Sequence, residues 1–225
     1  MRKLILTTAA VTAAIAGAFA AETVFGTFTD TRDGQTYKTV TIGIQAWVTV
    51  IIGGQTWMAE NLNYKTDSSW CYKNIDSNCV KYGRLYNWNT AKTVCPNGWK
   101  LPSREDWNYL GQAVGGEKEP DDKGNIDWYG AGKKLKSKSV WNNRDDGSSG
   151  NGTNDYGFSA LPGGGRGYTG GRFGNAGYYG FWWTATEGSD GSAYFRNMDY
   201  YNDNMGENNF GKSCGLSVRC VADTP

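Results

Sequence analysis

Near its C-terminal end the chain runs Trp182-Trp183-Thr184-Ala185-Thr186-Glu187 and later Ser217-Val218-Arg219-Cys220-Val221. Between these segments, half of the twenty residues from Tyr194 to Ser213 are Asn, Asp or Tyr. Paired tryptophans in an apolar run belong in a core. The polar and aromatic stretch between them suits a displayed contact surface better than a core or a reaction centre. The pattern points to binding and leaves the ligand unnamed.

The first residues read as an export signal: Arg2-Lys3, an apolar run from Leu4 to Phe19, and Ala18-Phe19-Ala20 as a small-residue cleavage site. The run is shorter than the ~20 apolar residues that span a bilayer. Residues 1–20 are therefore expected as a signal peptide, 21–38 as an N-terminal extension and 39–225 as one domain. No transmembrane helix is expected after cleavage. The destination is extracytoplasmic: secreted, at the bacterial cell surface, or periplasmic.

Taking Arg2 and Lys3 from the 23 basic residues leaves 21 against 22 acidic ones, so charge alone recruits neither nucleic acid nor anionic membrane. All five cysteines lie in the exported part, where disulfides persist. Cys71 and Cys79 are close enough for a local loop. A link from Cys95 to Cys220 would tie the middle of the domain to its last strand, and Cys214 is left over. Metal binding is the rival use of these thiols, but the chain has no C-x-x-C and no histidine.

Thr39 to Val48 and Thr49 to Met58 form a tandem repeat whose alternating Val, Ile and Thr around glycine read as a β-hairpin or a doubled edge strand. Tyr82 to Val94 has Leu85 and Trp88 at helical spacing. A second helix starts at Ser103, where the serine caps the first turn and Asp106 stands three residues on. Trp107 and Leu110 supply its apolar face, and Gly115-Gly116 ends it. Residues 117–156 read as long surface loops. Strands are expected at 158–161, 179–186, 193–198 and 216–222. Helices followed by an antiparallel sheet give an α+β class.

Several motifs carry weaker chemistry. Gly165-Arg166-Gly167-Tyr168-Thr169-Gly170 matches G-x-G-x-x-G, but no helical pattern follows it, so a loop is the preferred reading. Asp145, Asp146, Asn151, Asn154 and Asp155 offer oxygen ligands for Ca²⁺ without EF-hand spacing, and turn chemistry is preferred. No cofactor is expected. Without histidine the usual base for a Ser or Cys nucleophile is missing. Glu105, Asp106 and Glu187 are the carboxylates a glycan hydrolase would use, although Glu105 and Asp106 also suit a helix's first turn. Lys133-Lys134-Leu135-Lys136-Ser137-Lys138 reads as a solvated basic face. Trp99, Trp107, Trp182 and Trp183 are expected in the core, and Tyr168, Tyr178, Tyr194, Tyr200 and Tyr201 read equally as a recognition surface or as half-buried rings at strand edges.

Taken in order, Asp33-Gly34-Gln35-Thr36-Tyr37, Gly54-Gln55-Thr56-Trp57-Met58-Ala59-Glu60-Asn61-Leu62, Tyr82-Gly83-Arg84-Leu85-Tyr86, Cys95-Pro96-Asn97-Gly98-Trp99-Lys100-Leu101-Pro102-Ser103, Gly157-Phe158-Ser159-Ala160-Leu161-Pro162-Gly163-Gly164 and the two C-terminal frame segments resemble the Fibrobacter succinogenes major paralogous domain family. The resemblance implies a C-type-lectin-like fold, related to that of formylglycine-generating enzymes: two helices packed with a mainly antiparallel twisted sheet, rich in loops. It also implies disulfides Cys71–Cys79 and Cys95–Cys220. The chain departs from the family in repeating the Ile-Gly-x-Gln-x-Trp strand and in carrying Lys100 where histidine is common. It has neither the E-P-N calcium motif of lectins nor the oxidase's cysteine pair, so the fold relation brings no activity with it. The Asn/Tyr-rich stretch is similar to the displayed segment of retroelement-diversified variable proteins.

The expected function is a binding module for a carbohydrate or surface-protein ligand, serving adhesion or display. Its contacts are Tyr194, Arg196, Asn197, Asp199, Tyr200, Asn202, Asp203, Asn204, Asn208 and Asn209, with tyrosine stacking and hydrogen bonds from Asn, Asp and Arg. The alternatives are a carboxylate-based glycan hydrolase and a structural surface protein without a ligand.

Overall fold

The computed structural model describes residues 22–47, 50–52, 54–120, 124–167, 170–189 and 191–223. The expected signal peptide and Tyr168 lie outside the described residues. The architecture is α+β, with antiparallel pairing predominant and few helices.

β-Branched residues fit a pleated, half-buried surface, and the Thr/Val/Ile run forms a long strand, β2 (Thr36–Trp47). It pairs antiparallel with β1 (Glu22–Thr29) on one side, and with β3 (Val50–Ile52) and β4 (Gln55–Met58) on the other. Thr39 faces Met58 and Trp47 faces Val50, so one register runs through both copies of the repeat and the expected hairpin forms. The segment read as an extension joins this sheet as β1 and the start of β2. Beyond β4 lie β16 (Val221–Ala222) and β7 (Trp99–Lys100).

The second sheet has the order β14 (Gly206–Gly211), β13 (Ser192–Asp199), β12 (Tyr179–Glu187), β15 (Leu216–Ser217), β6 (Leu85–Tyr86) and β5 (Ser69–Trp70). Its neighbours are antiparallel except for β12 and β15. Two ribbons complete the strands: β8 (Glu117–Pro120) with β9 (Ile126–Tyr129), and β10 (Gly165–Arg166) with β11 (Phe173–Gly174).

The helices are α1 (Asp76–Tyr82), α2 (Trp88–Ala91), α3 (Arg104–Ala113) and α4 (Ala131–Leu135). The capping box is present on α3: the Ser103 hydroxyl accepts from Asp106 N, and the Asp106 carboxylate accepts from Ser103 N. Trp107 and Leu110 are buried as expected. Of the helix expected over 82–94 only the short α2 forms. Gly83 stands at φ 76°, where a Cβ would strike Asn61, and this ends α1; Leu85 and Tyr86 then pair with β15. Leu85 and Trp88 are buried all the same.

Residues 158–161 contribute one isolated bridge, Lys136 to Ala160, instead of a strand, and 216–222 splits into β15 and β16. The presumed loops of 117–156 contain β8, β9 and α4, and they bury Trp128, Leu135, Lys136 and Trp141. Lys136 therefore does not belong to a solvated face.

Successive residues of a strand point to opposite faces, and the Trp182-Trp183 pair uses this to enter two cores. Trp182 packs with Trp57, Trp107 and Phe158, whereas Trp183 packs with Tyr86, Trp88 and Phe195. Truncating either ring to alanine is expected to cost about 3–5 kcal/mol. Asn61 links the two halves of the frame. Its Oδ1 accepts from Trp182 Nε1 at 2.8 Å and from Arg219 Nη2 at 2.8 Å, and its Nδ2 donates to Tyr82 O at 2.8 Å. Burial pushes the Arg219 guanidinium down from its ordinary pKa. Disulfides join Cys71 to Cys79 and Cys95 to Cys220, and Cys214 is buried outside both.

Candidate ligand-binding face

The β12–β13 hairpin carries the chain into a turn at residues 199–204, and Asp199 shapes that turn. Its Oδ1 accepts from Tyr201 N at 3.1 Å and Asn202 N at 2.8 Å, and its Oδ2 accepts from Asn202 Nδ2 at 2.8 Å. Burial pushes the Asp199 carboxyl up, against the lowering effect of these donors. From below, Lys136 Nζ donates to the backbone oxygens of Asp199 and Asn202 at 2.9 and 2.8 Å.

Above this support four tyrosines cluster edge to face. Ring centroids are 5.1 Å apart for Tyr178 and Tyr200, 5.5 Å for Tyr200 and Tyr201, and 6.2 Å for Tyr179 and Tyr201. Tyr178 and Tyr201 are the open members, at 46% and 50% exposure. The Tyr200 hydroxyl donates to Asp145 Oδ1 at 3.1 Å, and this bond holds the phenol's pKa above its usual value. Burial pushes Tyr201 up to about 12. Both rings are therefore neutral at physiological pH, able to stack and to exchange hydrogen bonds.

The ten residues expected as contacts fall into four settings. Tyr200, Asn202, Asp203 and Asn204 are half-buried in the turn, where Asp203 pairs with Arg144 at 2.6 Å. Asn208 and Asn209 are exposed on β14, which forms one edge of its sheet. Asn197 sits half-buried opposite Gly206, while Tyr194 lies under the Arg104 guanidinium, 4.0 Å from its ring.

Arg196 and Asp199 point inward. Arg196 is fully buried; it pairs with Glu207 at 2.7 Å and donates to Asn108 Oδ1 at 2.7 Å and to Ile126 O. Glu207 also pairs with Arg104. These charges brace the sheet beneath the surface and are not part of it.

A second concavity was not legible as such in the sequence. It lies between the β10–β11 ribbon and the Trp183 side of the second sheet and is lined by Phe173, Phe181, Phe210 and Leu216, with Arg166 and Arg172 among its walls. Its signal is period-2 alternation, which puts Phe181 and Phe210 on one face across three neighbouring strands.

Of the other chemistry-bearing groups, Glu105 is exposed on α3, and several more are engaged within the chain. Asp106 serves the α3 cap and accepts from Gln55 Nε2 at 2.8 Å, and Glu187 pairs with Lys212. Asp146 accepts from Ser148 N and Oγ at 2.9 and 2.6 Å, and Asn151 Oδ1 accepts from Trp141 N at 3.0 Å. Among the described residues no group of three or more His, Cys, Asp or Glu is arranged to hold a metal ion. Nor is any described helix long and apolar enough to cross a membrane.

Fold and disulfides define a disulfide-tied α+β domain with a tyrosine-rich face. Residues 50–222 match the model of the Fibrobacter succinogenes major domain, and the chain belongs to that family. No curated protein and no solved structure matches the chain. The family match begins within the second copy of the repeat, so β1 and the whole of β2 are outside it.

Proposed function

We propose that this chain is an exported, C-type-lectin-like module that binds carbohydrate through the tyrosine face, serving adhesion at the bacterial cell surface. The observation that carries this reading is the cluster of Tyr178 and Tyr179, at the start of β12, with Tyr200 and Tyr201, on a turn fixed from below by Asp199 and Lys136; two of the four rings are about half exposed. Rigid aromatic rings supply contact area at little entropic cost. The neighbouring Asn202 and Asn204 amides add donors and acceptors suited to sugar hydroxyls. The asparagines on β14 would extend the contact, while Arg196 and Asp199 act as positioning residues.

An array of glycans and proteins probed with residues 21–225 tests the proposal. Saturable glycan binding that Tyr178→Ala with Tyr201→Ala weakens about tenfold or more supports it, in line with the cost of removing aromatic anchors. Binding to proteins alone, or glycan binding indifferent to both tyrosines, counts against it.

A further inference from the structure

The ribbon of β10 and β11 is tied to the second sheet by reciprocal backbone bonds, Arg166 N to Gly215 O at 2.8 Å and Gly215 N to Arg166 O at 2.7 Å. Between ribbon and sheet lies a cleft of about 390 Å³. Phe181, Phe210 and Leu216 come from β12, β14 and β15, and Phe173 comes from the ribbon. Phe181 and Phe210 lie 6.0 Å apart, leaving a broad aromatic surface.

The walls carry charge of one sign. Arg166 and Arg172 line the cleft, and among the described residues neither Asp nor Glu does. Among the described residues neither arginine takes part in an ion pair. Arg166 is held in place: its guanidinium lies 4.2 Å over the Trp70 ring. Gly171, at φ 62°, lets the ribbon pass where a Cβ would strike that guanidinium. A guanidinium fixed over an aromatic ring without a carboxylate partner is prepared to receive one.

We propose that this cleft binds a small aromatic carboxylate, with its ring against Phe173, Phe181 and Phe210 and its carboxylate at Arg166 and Arg172. The apolar lining disfavours a phosphate or a bare inorganic anion, and the unmatched positive charge disfavours a neutral hydrocarbon. The volume lies in the range of ~300–1,000 Å³ typical of small-molecule sites. The site is separate from the tyrosine face, although the Tyr179 ring stacks on Phe181 at 5.5 Å and makes the two surfaces continuous.

Calorimetric titration of the protein with cinnamate, and with cinnamamide and acetate as controls, tests this assignment. Cinnamate is expected to saturate one site, cinnamamide to bind roughly tenfold more weakly or worse, and acetate not to bind, since loss of a charge-assisted contact is worth about that factor. Arg172→Gln, at an exposed position, lowers cinnamate affinity by roughly the same factor and leaves cinnamamide unchanged. Phe210→Ala weakens both ligands. The proposal is overturned if cinnamate shows no saturable binding, if acid and amide bind equally, if acetate binds as tightly as cinnamate, or if Arg172→Gln with an unchanged circular dichroism spectrum retains full affinity. Substitutions at Tyr178 and Tyr201 leave cinnamate binding intact, so failure here and failure of the tyrosine face are separable.

Discussion

Lys136 Nζ lies 2.9 Å from the backbone oxygen of Asp199, with the lysine side chain fully buried. Its second partner is Asn202 O, and Asp203 Oδ1 is 3.9 Å away. An ammonium thus sits among the oxygens of a turn, as a bound cation would, and holds the tyrosines' support closed.

Burial pushes Lys136 down to about 8 from the ordinary 10.5. A lysine depressed in the folded state binds fewer protons there than in the unfolded chain between these values, so its contribution to stability rises with pH across that window. It is lost as pH falls through about 8. Denaturant melts of the native chain and Lys136→Met at pH 7 and pH 10.5 check this. The difference is expected to move toward the native chain by about 2–3 kcal/mol at the higher pH. No movement would contradict a buried, depressed lysine.

Glu207 and Arg196 form a fully buried pair, with Arg104 as a further partner of the carboxylate. Glu207→Gln leaves Arg196 charged and uncompensated, which is expected to cost about 3–5 kcal/mol. Replacing both residues, as Arg196→Met with Glu207→Leu, recovers most of that loss. Chemical denaturation of the three variants gives the comparison, and equal losses in single and double variants would show that the ion pair is not the source.

The tandem repeat sits astride a hairpin turn. Ile42 faces Gln55, so removing the ten residues from Ile44 to Gly53 leaves Gly43-Gly54 as a two-residue turn between strands already paired. Gly-Gly suits the primed turns of two-residue hairpins. The deletion variant is expected to fold with both disulfides and a melting temperature within about 5 °C of the parent, a shift on the order of 1 kcal/mol. An unfolded product would mean that the added arms stabilise the sheet.

The disulfides close loops of very different length, with sequence separations of 125 for Cys95–Cys220 and 8 for Cys71–Cys79. Loop entropy then predicts losses of about 5 and about 2.5 kcal/mol when each is replaced by paired alanines. Equal losses would place the stabilisation elsewhere.

Those features with a local cause were legible in the sequence. Ser103 and Asp106 mark the start of α3, the Trp182-Trp183 run marks β12, and the Val/Ile/Thr alternation marks the hairpin. β14 was hidden because Gly206-Glu207-Asn208-Asn209-Phe210-Gly211 has little strand propensity and is held by pairing with β13. The helix expected at 82–94 is reduced to α2 because Gly83 and the pairing of Leu85 and Tyr86 with β15 outweigh a periodic apolar pattern. Lys136 read as solvated because the carbonyls that receive it lie more than sixty positions away. Distance in sequence also concealed the cleft, whose apolar side chains come from three strands and a glycine-rich ribbon. Of the ten candidate contacts, the sequence could not separate Arg196 and Asp199, which turn inward, from Asn208 and Asn209, which turn out.

The tyrosine face is tested most directly by the affinity of residues 21–225 for an array-selected glycan, measured by calorimetry with and without Tyr178→Ala and Tyr201→Ala. Both rings are about half exposed, so their loss should leave the fold unchanged. The expected result is saturable binding to the parent and about tenfold or greater weakening in the double variant at equal thermal stability. Undiminished glycan affinity in a folded double variant would contradict it.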